Sequence, residues 1–432
     1  MSEIQKLKSG LAGLLKKGFF HIAGTNVLNK VIAALTNILI ARFLGKHNYG
    51  VFGAAFNVYN IFVIFSGLGM TGAILLFCSE SRPENEKRAY YRYGIIGGFF
   101  ASIVLSVGML IYASFFELGI PESKVYIILL SLLPLIDFVM QYELIILRTQ
   151  KMNKQYSLFL NLSSVTYFVF GCLGAYFWGI SGTILGRYLS YAAVIILCYG
   201  KVTSFIKKDV ANMVKLTSSN IRELWVYSIK NGLSSALNQI LYLIDVFLIS
   251  VLIKSPETVA SYKVAVLIPE GLAFIPSSIM VFLIPIVAEH NKDIKWLKNN
   301  IRKLFLITGI MNLVISLLLI ILAPYIISLL WGPEYLDSLT CFRILSINYF
   351  VMGTFRMSCT NILAVLRKVN FNLVLGIVSG ILDVILDYVL IKNFAGEGAA
   401  WATLLTVIFI SSISVPYLVY SLKKMEENSF NA

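Results

Sequence analysis

Charge is scarce in this sequence. Only 13% of its 432 residues are charged, 58% are hydrophobic, and the mean hydropathy is +0.80. A soluble domain of this length does not need so much apolar sequence to fill one core. The composition therefore excludes a soluble globular protein and predicts an integral membrane protein.

Cysteine and histidine are scarce as well, with five and three residues. The cysteines are scattered, mostly within apolar runs, and show neither a C-x-x-C spacing nor a pairing with histidine: Cys78, Cys172, Cys198, Cys341 and Cys359. This pattern excludes a disulfide framework. We predict no metal site and no bound cofactor.

Acidic residues are fewer than basic ones, 22 against 36, so the formal net charge is +14. A basic balance can indicate nucleic-acid binding, but the lysines and arginines here lie in short loops between apolar runs. Counted on alternate sides of the membrane they number about 26 and about six, and the richer side includes both termini. We therefore expect both termini in the cytoplasm and no nucleic-acid partner.

Long apolar runs are what the sequence has in abundance. They predict an all-α membrane protein of about twelve transmembrane helices in two six-helix lobes, over 19–200 and 225–422. The polar stretch 201–224 is predicted to be a cytoplasmic linker, and 423–432 a cytoplasmic tail. Leucines and lysines recur at helical spacing in 1–18, which predicts an amphipathic helix on the membrane surface.

The first apolar run, Phe19 to Leu44, carries a lysine near its middle, Lys30. Asn26, Lys30 and Asn37 fall within about 40° of one another on a helix. A charge at this depth costs about 2.5 to 3.5 kcal/mol on insertion scales, so the stripe should face protein or a water-filled cavity. Lys30 either pairs with an acid on a neighbouring helix or lines a transport cavity for an anionic substrate, and we favour the second.

The two halves of the chain resemble each other weakly. An offset of about 208 residues places Ala34–Ile40 on Tyr242–Leu248, and at the ends of the halves Gly179 matches Gly396 at an offset of 217. A repeat of six spans gives both halves the same orientation, related by a pseudo-twofold axis along the membrane normal. This arrangement is typical of a transporter whose two bundles rock around a central cavity.

The seventh span has a polar stripe of its own. Its members recur at steps of four, three, four and three residues and lie within about 80° of one another: Asn231, Ser235, Asn238, Tyr242 and Asp245. Because this span is the repeat partner of the first, we expect Asn231, Asn238 and Tyr242 to line the cavity opposite Lys30.

Other charged residues lie within the predicted spans. Arg187, Arg343 and Arg356 are candidates for lining the cavity, although Arg187 could instead extend outward to the interface. Asp245 and Glu270 are the first candidates for ion coupling, because an unpaired buried acid tends to take up a proton. The remaining acids are interpreted as structural partners of these cations: Asp137, Glu143, Asp383 and Asp387.

A set of motifs, in order along the chain, resembles one family. They are ILIARFLG at Ile38–Gly45, NYGVFG at Asn48–Gly53, the segment Asp245–Tyr262, LDYVLI at Leu386–Ile391 and GEGAAWAT at Gly396–Thr403. The chain is similar nearly end to end to Wzx-type polysaccharide flippases, which handle O-antigen or capsule repeat units within the multidrug/oligosaccharidyl-lipid/polysaccharide exporter superfamily.

The resemblance implies a flippase of the bacterial inner membrane, not an enzyme. Its substrate would be an undecaprenyl-pyrophosphate-linked oligosaccharide, moved from the cytoplasmic to the periplasmic leaflet by alternating access for the synthesis of lipopolysaccharide or another surface polysaccharide. H⁺ or Na⁺ coupling, contact with membrane lipids and association with the polysaccharide polymerase machinery are further expectations. Lys30, Arg187, Arg343 and Arg356 match the substrate role by type and location.

Two other functions stay open on the sequence. A cation-coupled multidrug antiporter would share the fold, but such exporters typically carry an acid on the first helix, where this chain has Lys30 and Asn37. A membrane-embedded polysaccharide polymerase or ligase would need long external segments, and the external connections here are short.

Overall fold

The structure is a computed structural model, and it describes residues 19–207, 214–290 and 293–430. Across these residues the secondary structure is helical and no β-strand occurs, so the predicted all-α class is confirmed for them. The surface helix expected over 1–18 and part of the expected linker, 208–213, lie outside the described residues. The expected tail 423–432 continues the last helix as far as Phe430.

The helices of the described chain are named here in order. They are α1 Phe19–Val63, α2 Met70–Ser79, α3 Glu84–Phe115, α4 Ser123–Leu130, α5 Leu133–Thr149, α6 Asn153–Lys207, α7 Ser218–Leu252, α8 Pro256–Leu272, α9 Phe274–Glu289, α10 Ile294–Leu330, α11 Leu339–Val351, α12 Met357–Val365 and α13 Val369–Phe430. Two 3₁₀ turns, Ser66–Gly69 and Pro333–Ser338, and one π turn, Met352–Arg356, join neighbouring helices.

Two helix starts show how local sequence sets these boundaries. Ser255 precedes α8 and its hydroxyl accepts a hydrogen bond from the Thr258 N–H at 3.2 Å, with Pro256 at the first helical position. Asp293 precedes α10 and accepts from the Trp296 N–H at 3.0 Å. Each cap satisfies a backbone donor that the first helical turn leaves unpaired.

Three of the long helices are broken by one residue with left-handed backbone. The breaks are at Gly45 in α1 (φ +70°), Gly179 in α6 (φ +61°) and Ala395 in α13 (φ +50°). The sequence predicted turns around Gly45 and at Gly179, and both are confirmed. Glycine adopts this conformation freely, whereas an L-residue such as Ala395 pays about 1–2 kcal/mol for it.

Left-handed residues recur at matching places in the two halves. They form three pairs, 209, 216 and 216 residues apart: Gly45 and Lys254, Lys151 and Arg367, and Gly179 and Ala395. The separations follow the offsets of about 208 to 217 that the sequence indicated. These separations support the internal repeat, which stays a prediction.

Seven segments of the described chain are long and apolar enough to cross a membrane. They are 27–79, 84–115, 123–149, 153–205, 256–289, 294–330 and 369–427. The protein is thus a multi-pass membrane protein. Three of these segments have 53, 53 and 59 residues, whereas one crossing needs about 20.

The chain divides into two units between Leu243 and Ile244. In the first unit α1 packs along α6, and α3 and α6 both pack on α5. Its core includes buried tyrosines whose hydroxyl groups form hydrogen bonds. Tyr142 donates to the Tyr91 carbonyl at 2.7 Å, and the Tyr91 hydroxyl lies 2.7 Å from that of Thr149.

The division falls inside α7, whereas the sequence placed the boundary at the linker 201–224. The first part of α7 packs on the turn before α2, where the Ser228 hydroxyl donates to the Leu68 carbonyl at 2.7 Å. Gly69 and Gly232 face each other there, and a Cβ on Gly69 would overlap the Ser228 carbonyl. Hydropathy cannot reveal such a backbone contact, which explains the difference.

In the second unit α11 is the central helix and packs on α8, α10 and α13. A separate apolar cluster joins α9, α10, α12 and α13 through Met280, Leu297, Leu363 and Leu418, each at most 3% exposed. These contacts position the polar residues described next.

Candidate functional site

Three aspartates converge in the second unit. Asp245 comes from α7, while Asp383 and Asp387 lie one turn apart on α13. Carboxylate oxygens of the three residues lie within 4.8 Å of one another. All three side chains are largely buried, at 9%, 9% and 0% exposure.

Two hydroxyl groups hold one side of this aspartate cluster. Tyr262 of α8 donates a hydrogen bond to Asp245, and Thr403 of α13 donates to the same oxygen, Oδ2, at 3.3 Å. Both carboxylate oxygens of Asp387 are buried and accept no hydrogen bond from a hydroxyl or amide group in the described part of the chain, and they adjoin the carboxyl group of Asp245. Asp387 is therefore the member whose charge the surrounding protein compensates least.

Three adjacent buried carboxylates repel one another unless protons or a cation neutralise them. Carboxylate and hydroxyl oxygens are ligands that hard cations accept. The cluster is thus chemically suited to bind protons or a small hard cation. The sequence predicted no metal site, treated Asp245 as an ion-coupling candidate and interpreted Asp383 and Asp387 as partners of basic residues.

Glu270, the other predicted coupling residue, lies near the end of α8 and is exposed. It is not a member of the aspartate cluster. The signal that could have found the cluster is the four-residue spacing of Asp383 and Asp387, which puts both on one face of a helix. Which other helix that face meets is not encoded in the spacing.

Arg187 occupies a second polar site, in the first unit. The centre of its guanidinium lies 4.0 Å from the ring centre of Tyr167, 5.4 Å from Tyr191 and 5.5 Å from Phe56. Tyr191 also hydrogen-bonds to Asp137, which interacts electrostatically with Arg187. The Arg187 guanidinium is therefore surrounded by aromatic rings, as is typical of a structural cation. Asp137 lies near this basic residue, as the sequence interpretation proposed.

Lys30 is exposed on α1, and the described part of the chain offers its ammonium neither an ion pair nor a hydrogen bond. Asn37, two turns further along, is half-buried and donates to the Ala33 carbonyl at 2.8 Å. Both residues belong to the first unit.

The other predicted site residues are spread over both units. Asn231 is half-buried against Gly72, and Tyr242 is 60% exposed, both in the first unit. Arg343 is exposed on α11, and Arg356 is half-buried at the end of the π turn, both in the second. The side chains of the remaining two, Asn26 and Asn238, lie outside the description although their backbones are helical.

Comparisons with known proteins identify the family to which the chain belongs. The family model described as "Polysaccharide biosynthesis protein" matches residues 15–290. The "Uncharacterized membrane protein MJ1375" of Methanocaldococcus jannaschii is 24% identical over 449 residues, covering 95% of this chain and 99% of that protein. The "Putative O-antigen transporter" of Escherichia coli (strain K12) is 24% identical over 422 residues, covering 94% and 96%.

Two solved structures share the fold. An inward-facing multidrug resistance MATE family transporter of the MOP superfamily matches with a TM-score of 0.72 and 15% identity, over 93% of this chain and 96% of that one. The lipid II flippase MurJ in an inward closed conformation matches with a TM-score of 0.71 and 16% identity, over 94% and 90%. The fold is thus that of MOP-superfamily transporters, and the chain belongs to the polysaccharide biosynthesis protein family, in agreement with its resemblance to Wzx-type flippases.

Proposed function

We propose that this protein is a flippase that moves undecaprenyl-pyrophosphate-linked oligosaccharide units from the cytoplasmic to the periplasmic leaflet of a bacterial inner membrane. The observation that carries the proposal is the family match over 15–290, within a chain that has the MOP-transporter fold. The E. coli relative is named "Putative O-antigen transporter" and the MurJ structure is named a lipid II flippase, and both names support a lipid-linked glycan as the substrate proposed here.

Twelve crossings in two like-oriented lobes are part of the proposal. Three long apolar segments are interrupted at Gly45, Gly179 and Ala395, and each would cross twice. The other four segments would cross once, and α7 and the stretch 333–365 would supply the last two crossings. The paired left-handed turns support a repeat of six crossings, which would put both termini on the same side of the membrane. The excess of basic residues supports the cytoplasmic side.

Substrate binding is assigned to basic residues within the membrane. Lys30 in the first unit and, separately, Arg343 and Arg356 in the second are the proposed contacts for phosphate groups, because guanidinium and ammonium groups pair strongly with phosphate oxygens. Arg187 is left out of this set because its guanidinium already stacks on Tyr167. Asn37, Asn231 and Tyr242 would supply neutral hydrogen-bonding groups to the sugars.

Ion coupling is assigned to the aspartate cluster. Binding of H⁺ or Na⁺ would lower the repulsion among Asp245, Asp383 and Asp387. A cation that binds one conformation better than the other shifts the population toward it, which is what coupling requires. Glu270, which is exposed on α8, would be the entry residue for the cation.

Deletion of the gene in its host tests the function. We expect loss of surface polysaccharide and accumulation of the lipid-linked oligosaccharide on the cytoplasmic face, both restored by the wild-type gene. The similarity to a multidrug transporter structure favours a second candidate, a cation-coupled drug antiporter. Dye sensitivity with normal surface polysaccharide would establish that candidate and reject the flippase.

A further inference from the structure

One oxygen of Asp245 already has both of its lone pairs in use. A carboxylate oxygen offers about two positions, each for a hydrogen-bond donor or for a cation. Oδ2 of Asp245 accepts a hydrogen bond from the Tyr262 hydroxyl and another, at 3.3 Å, from the Thr403 hydroxyl. A cation can therefore coordinate this oxygen only after one of the two hydroxyl groups has withdrawn.

Thr403 can withdraw at little cost. Its hydroxyl carries one proton, and the Ala399 carbonyl, one turn earlier on α13, lies 3.0 Å away as a second acceptor. Threonine hydroxyls in helices commonly donate to the carbonyl four residues earlier. When a cation arrives at Asp245, Thr403 can thus exchange one acceptor for a nearer one and keep a hydrogen bond.

Tyr262 has no such alternative. Within the described chain its hydroxyl donates to Asp245 and to no other acceptor, and its side chain is 2% exposed. Turning the hydroxyl away from Asp245 would leave a buried donor without a partner, which costs more than a typical hydrogen bond contributes. The neighbours of Tyr262 on α8 are fully buried as well: Val259, Ala260, Val264 and Ala265.

Two contacts fix the part of α8 that carries Tyr262. The helix begins after the Ser255 cap, and the Ser261 hydroxyl donates to Oδ2 of Asp337 at 2.9 Å. Asp337 lies in the 3₁₀ turn before α11, the helix on which α8 packs. These contacts hold the Tyr262 ring beside Asp245, so its hydroxyl is a donor in a fixed position.

We propose that Tyr262 is a positioning residue that keeps Oδ2 of Asp245 occupied and thereby lowers the affinity of the aspartate cluster for its coupling cation. The proposal rests on the proposed function, in which this cluster couples transport to H⁺ or Na⁺. A hydroxyl that donates to a carboxylate stabilises the charged, cation-free form, so the effect has the same sign for either cation. The lowered affinity lets the cation leave the three carboxylates in each transport cycle.

A tyrosine that bound the cation through its own oxygen would have the opposite effect. Its removal would take one ligand away and weaken the site. An ionised carboxylate can only accept hydrogen bonds, so in the contact with Asp245 the Tyr262 hydroxyl is the donor. Loss of this hydroxyl leaves Oδ2 with a lone pair for the cation, and binding should tighten.

The substitution Tyr262→Phe tests the proposal. Transport of the polyprenyl-linked oligosaccharide by the full-length protein in vesicles is measured against Na⁺ at constant pH and, without Na⁺, against pH. We expect the Na⁺ or H⁺ concentration for half-maximal transport to fall about tenfold, because a hydrogen bond to a charged group is lost, while KM for the oligosaccharide changes little. An unchanged cation dependence, or a rise in that concentration, would overturn the proposal.

Tyr349→Phe is the matched control. Tyr349 is also buried in the second unit, at 1% exposure, but its hydroxyl donates to the neutral Oδ1 of Asn312 at 3.1 Å. This variant loses the same hydroxyl group from a similar environment, and we expect its cation dependence to equal that of wild type. An equal shift in both tyrosine variants would show an effect of packing and overturn the proposal.

A second substitution at the same position keeps the ring and its hydroxyl. Fluorotyrosine, with fluorine next to the hydroxyl, is a stronger donor of nearly the same size. In place of Tyr262 it should raise the cation concentration for half-maximal transport, opposite to Tyr262→Phe. No shift, or a shift in the same direction as Tyr262→Phe, would reject the hydroxyl as the cause.

Binding of radioactive Na⁺ to the purified protein separates this proposal from the proposed function. A wild type that transports nothing would reject the flippase, yet tighter Na⁺ binding in Tyr262→Phe than in wild type would still support the role of Tyr262. Transport that depends on neither cation, together with no Na⁺ binding, would reject both coupling at the cluster and the role of Tyr262. Normal transport with equal Na⁺ affinities and equal pH dependence would reject the role of Tyr262 alone.

Discussion

Asp387 is the least compensated group of the aspartate cluster, because neither of its buried oxygens accepts a hydrogen bond from a hydroxyl or amide group in the described structure. A buried carboxylate without donors is costly and is retained where it binds something that is not always present. The neighbouring Asp245 is held by Tyr262 and Thr403, so it is fixed in position. The cluster thus combines one carboxylate held by two hydroxyl groups with one whose neighbours are other carboxyl groups.

Asp387→Asn should weaken cation binding, because it removes one negative charge from a site that has three. We expect the Na⁺ or H⁺ concentration that gives half-maximal transport in vesicles to rise at least tenfold. Asp293→Asn is the matched control, since asparagine also caps a helix N-terminus and the residue lies outside the cluster. An unchanged cation dependence in Asp387→Asn would exclude the cluster as the coupling site.

Lys30→Ala should abolish complementation of a deletion strain, whereas Lys30→Arg should retain part of it, because arginine keeps the charge but presents it as a planar fork. Membrane abundance is measured alongside, to separate folding from function. Lys424→Ala, an exposed lysine near the end of α13, should complement fully. Full complementation by Lys30→Ala at normal abundance would remove this residue from the proposed site.

At the scale of elements, the contact between the turn before α2 and the start of α7 depends on glycines, which have no side chain. Gly69 has φ +77° and a Cβ there would overlap the carbonyl of Ser228, while Gly232 faces it from α7. Small residues let membrane helices approach closely. Gly69 therefore combines a backbone conformation that would strain any other residue with a close approach to α7.

Gly69→Ala should lower stability by about 2 kcal/mol or more, from left-handed strain plus the overlap with α7. Stability is measured as the temperature at which the detergent-solubilised protein loses its monodisperse peak. Gly376→Ala on α13 is the control, because a Cβ there meets nothing within 4 Å and alanine favours helix by about 0.5–1 kcal/mol. Equal thermal behaviour of the two variants would show that the glycine contact is not tight in solution.

The elements were more predictable from sequence than the site. Apolar runs and glycine gave the all-α class and the turns at Gly45 and Gly179, because span length and left-handed backbone are local properties. The aspartate cluster brings α7 and α13 together across more than a hundred residues of chain, and helical periodicity carries no information about which faces meet. The Arg187 cage likewise combines Phe56 of α1 with Tyr167 and Tyr191 of α6, which lie on either side of the break at Gly179.

At the scale of the whole molecule, the paired left-handed turns predict a topology. Gly45, Lys254, Gly179 and Ala395 would lie on the external side, and Lys151 and Arg367 on the cytoplasmic side. This assignment requires an even number of crossings in each half. It follows from the excess of basic residues on the side of the termini.

Cysteine labelling in intact cells checks the assignment. Glu117→Cys and Lys254→Cys should react with a membrane-impermeant maleimide, whereas Lys151→Cys and Arg367→Cys should react only after lysis. All four positions are exposed, and the native cysteines are buried, so the background should be low. Labelling of Lys151→Cys and Lys254→Cys from the same side would contradict two like-oriented halves.

Helix α7 runs unbroken from Ser218 to Leu252 and carries both Ser228 and Asp245. The two residues are separated by about 26 Å along the axis. A helix of this length is stiff, so a small axial shift at Asp245 on cation binding would arrive nearly undiminished at the Ser228 end. Neutralising Asp245 at one depth of the bilayer would then move the backbone of the same helix at another depth.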